Sequence, residues 1–92
     1  MTPPEDVVTR IDALPEGSCY GQVGARRYLT TRTAFSGNRA IKVVAREVGG
    51  TDYISLNLYR LTSGPRLYPC EMPAPKVIDF LRGFEADGRD DR

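Results

Sequence analysis

The sequence predicts an α+β domain: an antiparallel, four- to five-stranded meander sheet with a short N-terminal helix and a C-terminal helix packed on one face. Three observations predict it. Apolar residues recur at helical spacing near both ends; the middle of the chain alternates with a period of two between turn signals; and 92 residues with 40% hydrophobic and 27% charged content suit one core and no more. The domain is expected to span 1–92, with the sheet over about 19–70, the second helix over about 74–84 and a frayed tail over 85–92.

The first helix is read from Val7, Val8, Ile11 and Leu14. Thr2 is the expected cap, Pro3 and Pro4 open the first turn, and Glu5 stands at the capping-box position. Pro15 and Gly17 stop the helix. Runs rich in Tyr, Thr, Val and Ile then predict strands near 19–23, 26–35, 39–48, 52–61 and 66–70. They are separated by turn signals at Gly24, Ser36-Gly37-Asn38, Gly49-Gly50 and Ser63-Gly64-Pro65. Spacers this short join antiparallel neighbours. Beyond Pro73 and Pro75, the stripe of Val77, Ile78, Leu81 and Phe84 marks the second helix, which Gly83 and the polar tail bring to an end.

Charge is unevenly spread. Residues 17–70 hold eight basic side chains against Glu47 and Asp52, a net of +6, whereas residues 1–16 carry −3 and residues 71–92 carry −2, giving +1 for the chain. A basic middle lies between acidic ends. No stretch reaches the roughly 18 apolar residues that cross a bilayer, and the N-terminus reads Thr2-Pro3-Pro4-Glu5-Asp6 with no leader pattern, so a cytoplasmic protein without membrane contact is expected.

Catalysis and metal binding find little support. Histidine is absent, which removes the commonest metal ligand and the usual general base near neutral pH. Cys19 and Cys70 are far apart and form no CxxC pair, so reduced thiols are expected and neither a zinc site nor a redox motif is written. Cys70 near the start of the second helix could have an activated thiol, but with no histidine or second cysteine beside it a small packed residue is the simpler reading. Glu71 and Asp79 form no paired-carboxylate site, and the glycine-bearing turns precede no helix, as a phosphate-cradling loop would require. The expectation is a protein that is not an enzyme and that holds neither cofactor nor metal.

Alternation sorts the strands into two faces. Ile41, Val43 and Ala45 with Ile54, Leu56 and Leu58 are the expected core beneath the C-terminal helix. The opposite phases present Lys42, Val44 and Arg46 with Tyr53, Ser55, Asn57 and Tyr59, and the preceding strand is expected to add Tyr28, Thr30 and Arg32. Cations that track phosphates and rings that stack on bases are what single-stranded nucleic acid requires. The candidate binding residues are Arg26, Arg27, Tyr28, Arg32, Lys42, Arg46, Tyr53 and Tyr59, and the expected partner is single-stranded DNA or RNA. Strand propensity alone also accounts for the tyrosines and edge placement for the arginines, which keeps open a protein-interaction module that binds no nucleic acid.

The run Gln22-Val23-Gly24, then Arg27-Tyr28-Leu29-Thr30-Thr31-Arg32 to Phe35 and Gly37, then Ile41 to Arg46-Glu47, resembles the first half of the transcriptional positive cofactor four family. The resemblance covers about half the chain. It implies a curved antiparallel sheet followed by a helix, dimerisation through the helices, single-stranded DNA on the sheet and a role in transcription. It would place Arg27, Arg32 and Arg46 on basic positions of the DNA-facing strands, with Tyr28 as the adjoining aromatic. The family's bulky aromatic after the Arg-Glu pair is replaced by Val48-Gly49-Gly50, and an extra strand's worth of residues precedes the last helix.

Overall fold

The computed structural model describes residues 1–87. Helix α1 covers Glu5–Ala13, and five strands follow: β1 (Gly17–Val23), β2 (Arg26–Phe35), β3 (Ala40–Glu47), β4 (Tyr53–Leu61) and β5 (Gly64–Pro69). Helix α2 covers Ala74–Gly83, and a two-residue strand β6 (Glu85–Ala86) closes the order. All strand pairings are antiparallel, in the spatial order β5-β4-β3-β2-β1-β6, and the sheet stays open. The expected antiparallel meander, with the C-terminal helix packed on one face, is what the chain adopts; the first helix, whose side the sequence left open, lies on that same face.

Strands β1 and β5 each begin two residues earlier than expected, so Gly64 and Pro65 of the expected turn instead pair with Leu61 and Arg60; two departures are larger. Helix α1 begins at Glu5 with Pro4 as its N-cap, at φ −60° and ψ 152°, and no side chain caps it. Thr2 is excluded because Pro3, which would have to be the first helical residue, is itself followed by a proline and so is driven from helical geometry. The Pro4 carbonyl instead accepts from the amides of Val7 and Val8, while Glu5 and Asp6 in the first turn and Arg10 in the last complement the helix dipole. The second departure is β6. Of the tail expected over 85–92, residues 88–92 lie outside those described, but Glu85 and Ala86 pair with Gln22 and Gly21, adding a sixth strand. The N-terminus does something comparable at the opposite edge, where Met1 and Leu67 exchange two backbone hydrogen bonds at 2.8 and 2.9 Å.

Directly paired residues point to the same side of a sheet, so the register fixes the faces. Ile41 pairs with Leu58, Val43 with Leu56 and Ala45 with Ile54, while Leu58 pairs with Leu67. These side chains are buried and pack with Val7 and Ile11 of α1 and Val77, Phe80 and Leu81 of α2. Arginine-carboxylate pairs tie down the helical layer: Arg82 forks onto Asp6 at 2.8 and 3.0 Å, Arg60 reaches Asp12 at 2.6 Å, and Arg32 reaches Glu16 at 2.6 Å. Both helices therefore occupy one face, leaving the other to solvent. No helix among the described residues is long and apolar enough to cross a membrane.

Candidate functional site

The uncovered face is built by alternate residues of five strands. The register puts Tyr20 opposite Leu29, Leu29 opposite Arg46, and Arg46 opposite Tyr53 in one row across the sheet. Another row runs Thr33, Lys42, Asn57 and Tyr68, and a third runs Phe35, Ala40, Tyr59 and Arg66. Tyr20, Phe35, Tyr53, Tyr59 and Tyr68 are all exposed, at 38 to 51% of their full surface. The rings of Tyr59 and Tyr68 meet edge to face at 5.7 Å, and the Arg27 guanidinium sits 5.9 Å from the centre of Tyr20. Strands β2 to β5 bring no carboxylate to this face, and among the described residues Lys42, Arg46 and Arg66 make no ion pair.

Acidic charge meets the face at one margin. The backbone amide of Asp87 donates to the Tyr20 carbonyl at 2.8 Å, and the carboxylate takes both terminal nitrogens of Arg27, at 2.6 and 3.2 Å. The Arg27 hydrogen bond holds the Asp87 carboxyl below its ordinary value.

Of the eight residues singled out from the sequence, Arg27, Lys42, Arg46, Tyr53 and Tyr59 share this face. Arg26, Tyr28 and Arg32 do not, and their expected placement is corrected. Tyr28 pairs with Gly21 and Glu47 on the covered face, is 3% exposed, and packs edge-on against Phe80 at 5.0 Å. Arg26 lies on the same side, 4.0 Å from Glu47 and 3.8 Å from Asp52. Arg32 pairs with Val43 and is 7% exposed. The physical cause is strand parity, because residues 28, 30 and 32 share their side with 47, 45 and 43. Tyr20, Phe35, Arg66 and Tyr68 were not singled out from the sequence; the strict alternation around buried Leu67 was the available signal for the last two.

Arg32 is a buried cation whose Nε has no hydrogen-bond partner among the described residues and whose ion-pair partner Glu16 is largely solvated. Such a group loses hydration for one good contact, and an apolar side chain of similar volume often serves as well or better. Arg32→Met is therefore expected to match or exceed the wild type in urea denaturation, by up to about 2 kcal/mol. A loss of about 3 kcal/mol would show the ion pair to be net stabilising.

Asp52 anchors the start of β4 to α2. Its carboxylate accepts from the Tyr28 hydroxyl at 2.7 Å and pairs with Lys76 at 2.7 Å. The Lys76 contact first, and the Tyr28 hydrogen bond second, hold the Asp52 carboxyl below the usual value, whereas burial and then the bond to Asp52 push the Tyr28 phenol up. A carboxylate depressed in the folded state contributes stability that is fully present above its unfolded pKa of about 3.9 and is lost as pH falls through the lower folded value. Asp52→Asn should be less stable than the wild type at pH 7, with the gap closing below about pH 4 in thermal melts. A gap unchanged at low pH would remove the ionised carboxylate from the account.

On the helix-covered side, a cavity of about 320 Å³ opens between α1, α2 and β6. Its lining is mainly apolar apart from Arg10, because Glu85, which borders it, pairs with Gln22 and so carries its carboxylate on the uncovered face at the β6 margin; the cavity offers no catalytic set. Among the described residues no group of three or more His, Cys, Asp or Glu could hold a metal ion. The Cys70 thiol accepts from the Asn57 amide at 3.4 Å. The uncovered sheet face is the candidate site. Scans against protein-family models, curated proteins and solved structures return no significant match.

Proposed function

We propose that this chain binds single-stranded nucleic acid on the uncovered sheet face. The observation that carries the reading is the gathering of five exposed rings with Lys42, Arg46 and Arg66, which make no ion pair among the described residues, on one surface to which β2–β5 bring no carboxylate. Rings at this exposure can stack on bases whatever their sequence, and the cations follow phosphates in exchange for released counterions. Arg27 joins them once it exchanges Asp87 for a phosphate; Tyr28 and Arg32 act in the fold, beneath the helices. The resemblance to the transcriptional positive cofactor four family supports the same ligand through Arg27 and Arg46 only, since Tyr28 and Arg32, which it would also place on the DNA-facing strands, lie beneath the helices. From that resemblance alone come two further parts of the proposal, an accessory or regulatory role in transcription and a homodimer. The residue chemistry includes no catalytic step, and a cytoplasmic setting accompanies the reading.

A protein partner is the second reading, favoured by Phe35 and Leu61, which are 51% and 50% exposed beside Tyr59 at one end of the face. Titration of labelled single-stranded DNA at two salt concentrations separates the two. Nucleic-acid binding predicts affinity that falls steeply between 50 and 200 mM salt, as is typical of phosphate contacts, and a log-log slope shallower by about two units when Lys42, Arg46 and Arg66 become alanine. No binding at the lower salt would leave the protein partner as the surviving reading.

A further inference from the structure

The rings and cations of the open face are not evenly spread. Toward one end Tyr59 and Tyr68 touch, with Lys42 and Arg66 in the same two rows. Toward the other end Arg46 stands directly opposite Tyr53. Between these clusters runs a row with neither a ring nor a charge: Ser18, Thr31, Val44 and Ser55, in which the Ser18 and Thr31 hydroxyls are hydrogen-bonded to each other at 2.9 Å. Resting on the single-strand reading above, we propose that the face holds two separate base-stacking subsites, Tyr59–Tyr68 and Tyr53–Arg46, bridged by one nucleic-acid strand running along the β-strand direction.

The spacing sets the ligand length. From the Asn57–Tyr68 row to the Tyr53 row is four residues along β4, about 13 Å at the usual rise of roughly 3.3 Å per residue. A strand keeping the ~3.4 Å step of helical DNA needs about four nucleotides to cover that distance, and an unstacked strand needs fewer. A dinucleotide thus fills one subsite, whereas a hexanucleotide reaches both. Once the first subsite is occupied, binding at the second becomes intramolecular, with a high effective concentration. The nucleotides over the Ser-Thr-Val row need supply only backbone, because that row has no ring to stack on a base.

The test uses oligothymidylates and oligouridylates of two to twelve nucleotides at low salt. Affinity is expected to rise by at least about 10-fold between the dinucleotide and the hexanucleotide, then to climb only gradually. Tyr53→Ala, or Tyr59→Ala with Tyr68→Ala, should each remove most of that step while leaving dinucleotide affinity within about 3-fold, because one subsite survives. Abasic residues at the centre of a hexanucleotide should be tolerated within about 3-fold, while abasic residues at both ends should cost 10-fold or more. Binding that strengthens smoothly with length, or equal losses from central and terminal abasic residues, would overturn the two-subsite arrangement and leave single-strand binding standing. Failure of every oligonucleotide to bind would remove both proposals together.

Discussion

Phe80→Ala is expected to lower the free energy of unfolding by about 3–5 kcal/mol, the usual cost of deleting a buried aromatic ring. Phe80 is 4% exposed and sits between two rings, edge-on to Tyr28 at 5.0 Å and stacked on Phe84 at 5.3 Å. It thereby joins α2 to the sheet through Tyr28 and to the start of β6 through Phe84. Domains of this size are stable by roughly 0.05–0.15 kcal/mol per residue, so the loss removes a large share of the total. Urea denaturation should show a lower midpoint with an unchanged slope. Phe35→Ala is the matched control, since that ring is 51% exposed on the open face and should cost less than about 1 kcal/mol. Similar costs at the two positions would contradict the assignment of covered and uncovered faces.

Strong binary patterns were legible in the sequence, and weak ones were not. Strand β3 reads Ile41-Lys42-Val43-Val44-Ala45-Arg46 and β4 reads Tyr53-Ile54-Ser55-Leu56-Asn57-Leu58-Tyr59, so only one phase of each can face a core, and the structure buries that phase. The same holds for Val77 and Leu81 on α2. Strand β2 is different, because Arg27-Leu29-Thr31-Thr33-Phe35 and Tyr28-Thr30-Arg32-Ala34 both mix apolar and polar residues. Its phase is set by the connection to β3. Phe35 pairs with Ala40 across four intervening residues, and Ser36, Gly37 and Asn38 all take positive φ, at 53°, 63° and 74°. A connection one residue longer or shorter would reverse which side of β2 meets the core. Left-handed conformations at three successive positions are not written in the residue types, apart from the glycine and asparagine that tolerate them.

The candidate site inherits this division. Lys42, Arg46, Tyr53 and Tyr59 come from the two cleanly alternating strands and were placed together correctly, whereas Tyr28 and Arg32 were misplaced with the strand that carries them. Arithmetic alone could have separated Arg27 from Arg32, since positions five apart in a regular strand face opposite sides. The sixth strand had no comparable signal. Two residues are too short for any period, and Glu85–Ala86 is ordered by its neighbours: Phe84 packs in the core just before it, and Asp87 binds Arg27 just after it. The acidic C-terminal segment, expected as a frayed tail over 85–92, thus includes a carboxylate placed at the margin of the basic face.

Gly21→Val should be nearly as damaging as the loss of Phe80, for the opposite reason. Gly21 lies between Tyr28 on β2 and Ala86 on β6. A Cβ there would fall 2.5 Å from the Glu85 carbonyl oxygen and 2.6 Å from Cε1 of Phe84. The carbonyl belongs to the β1–β6 pairing and cannot rotate away, so valine must push β6 off the sheet edge and displace the Phe84 ring from Phe80. Overpacking typically costs about 1–3 kcal/mol, and a backbone clash places this substitution at or above the upper end. Gly24→Ala separates sterics from backbone strain, because Gly24 has φ +59° with nothing within 4 Å of a Cβ, and should cost only about 1–2 kcal/mol. The decisive measurement is a double-mutant cycle. Once Phe84→Ala has removed the ring, Gly21→Val should cost at least about 1 kcal/mol less than it does in the wild type. Strict additivity would mean that the ring and the glycine do not compete for the same space, and would leave the Glu85 carbonyl as the sole source of the cost.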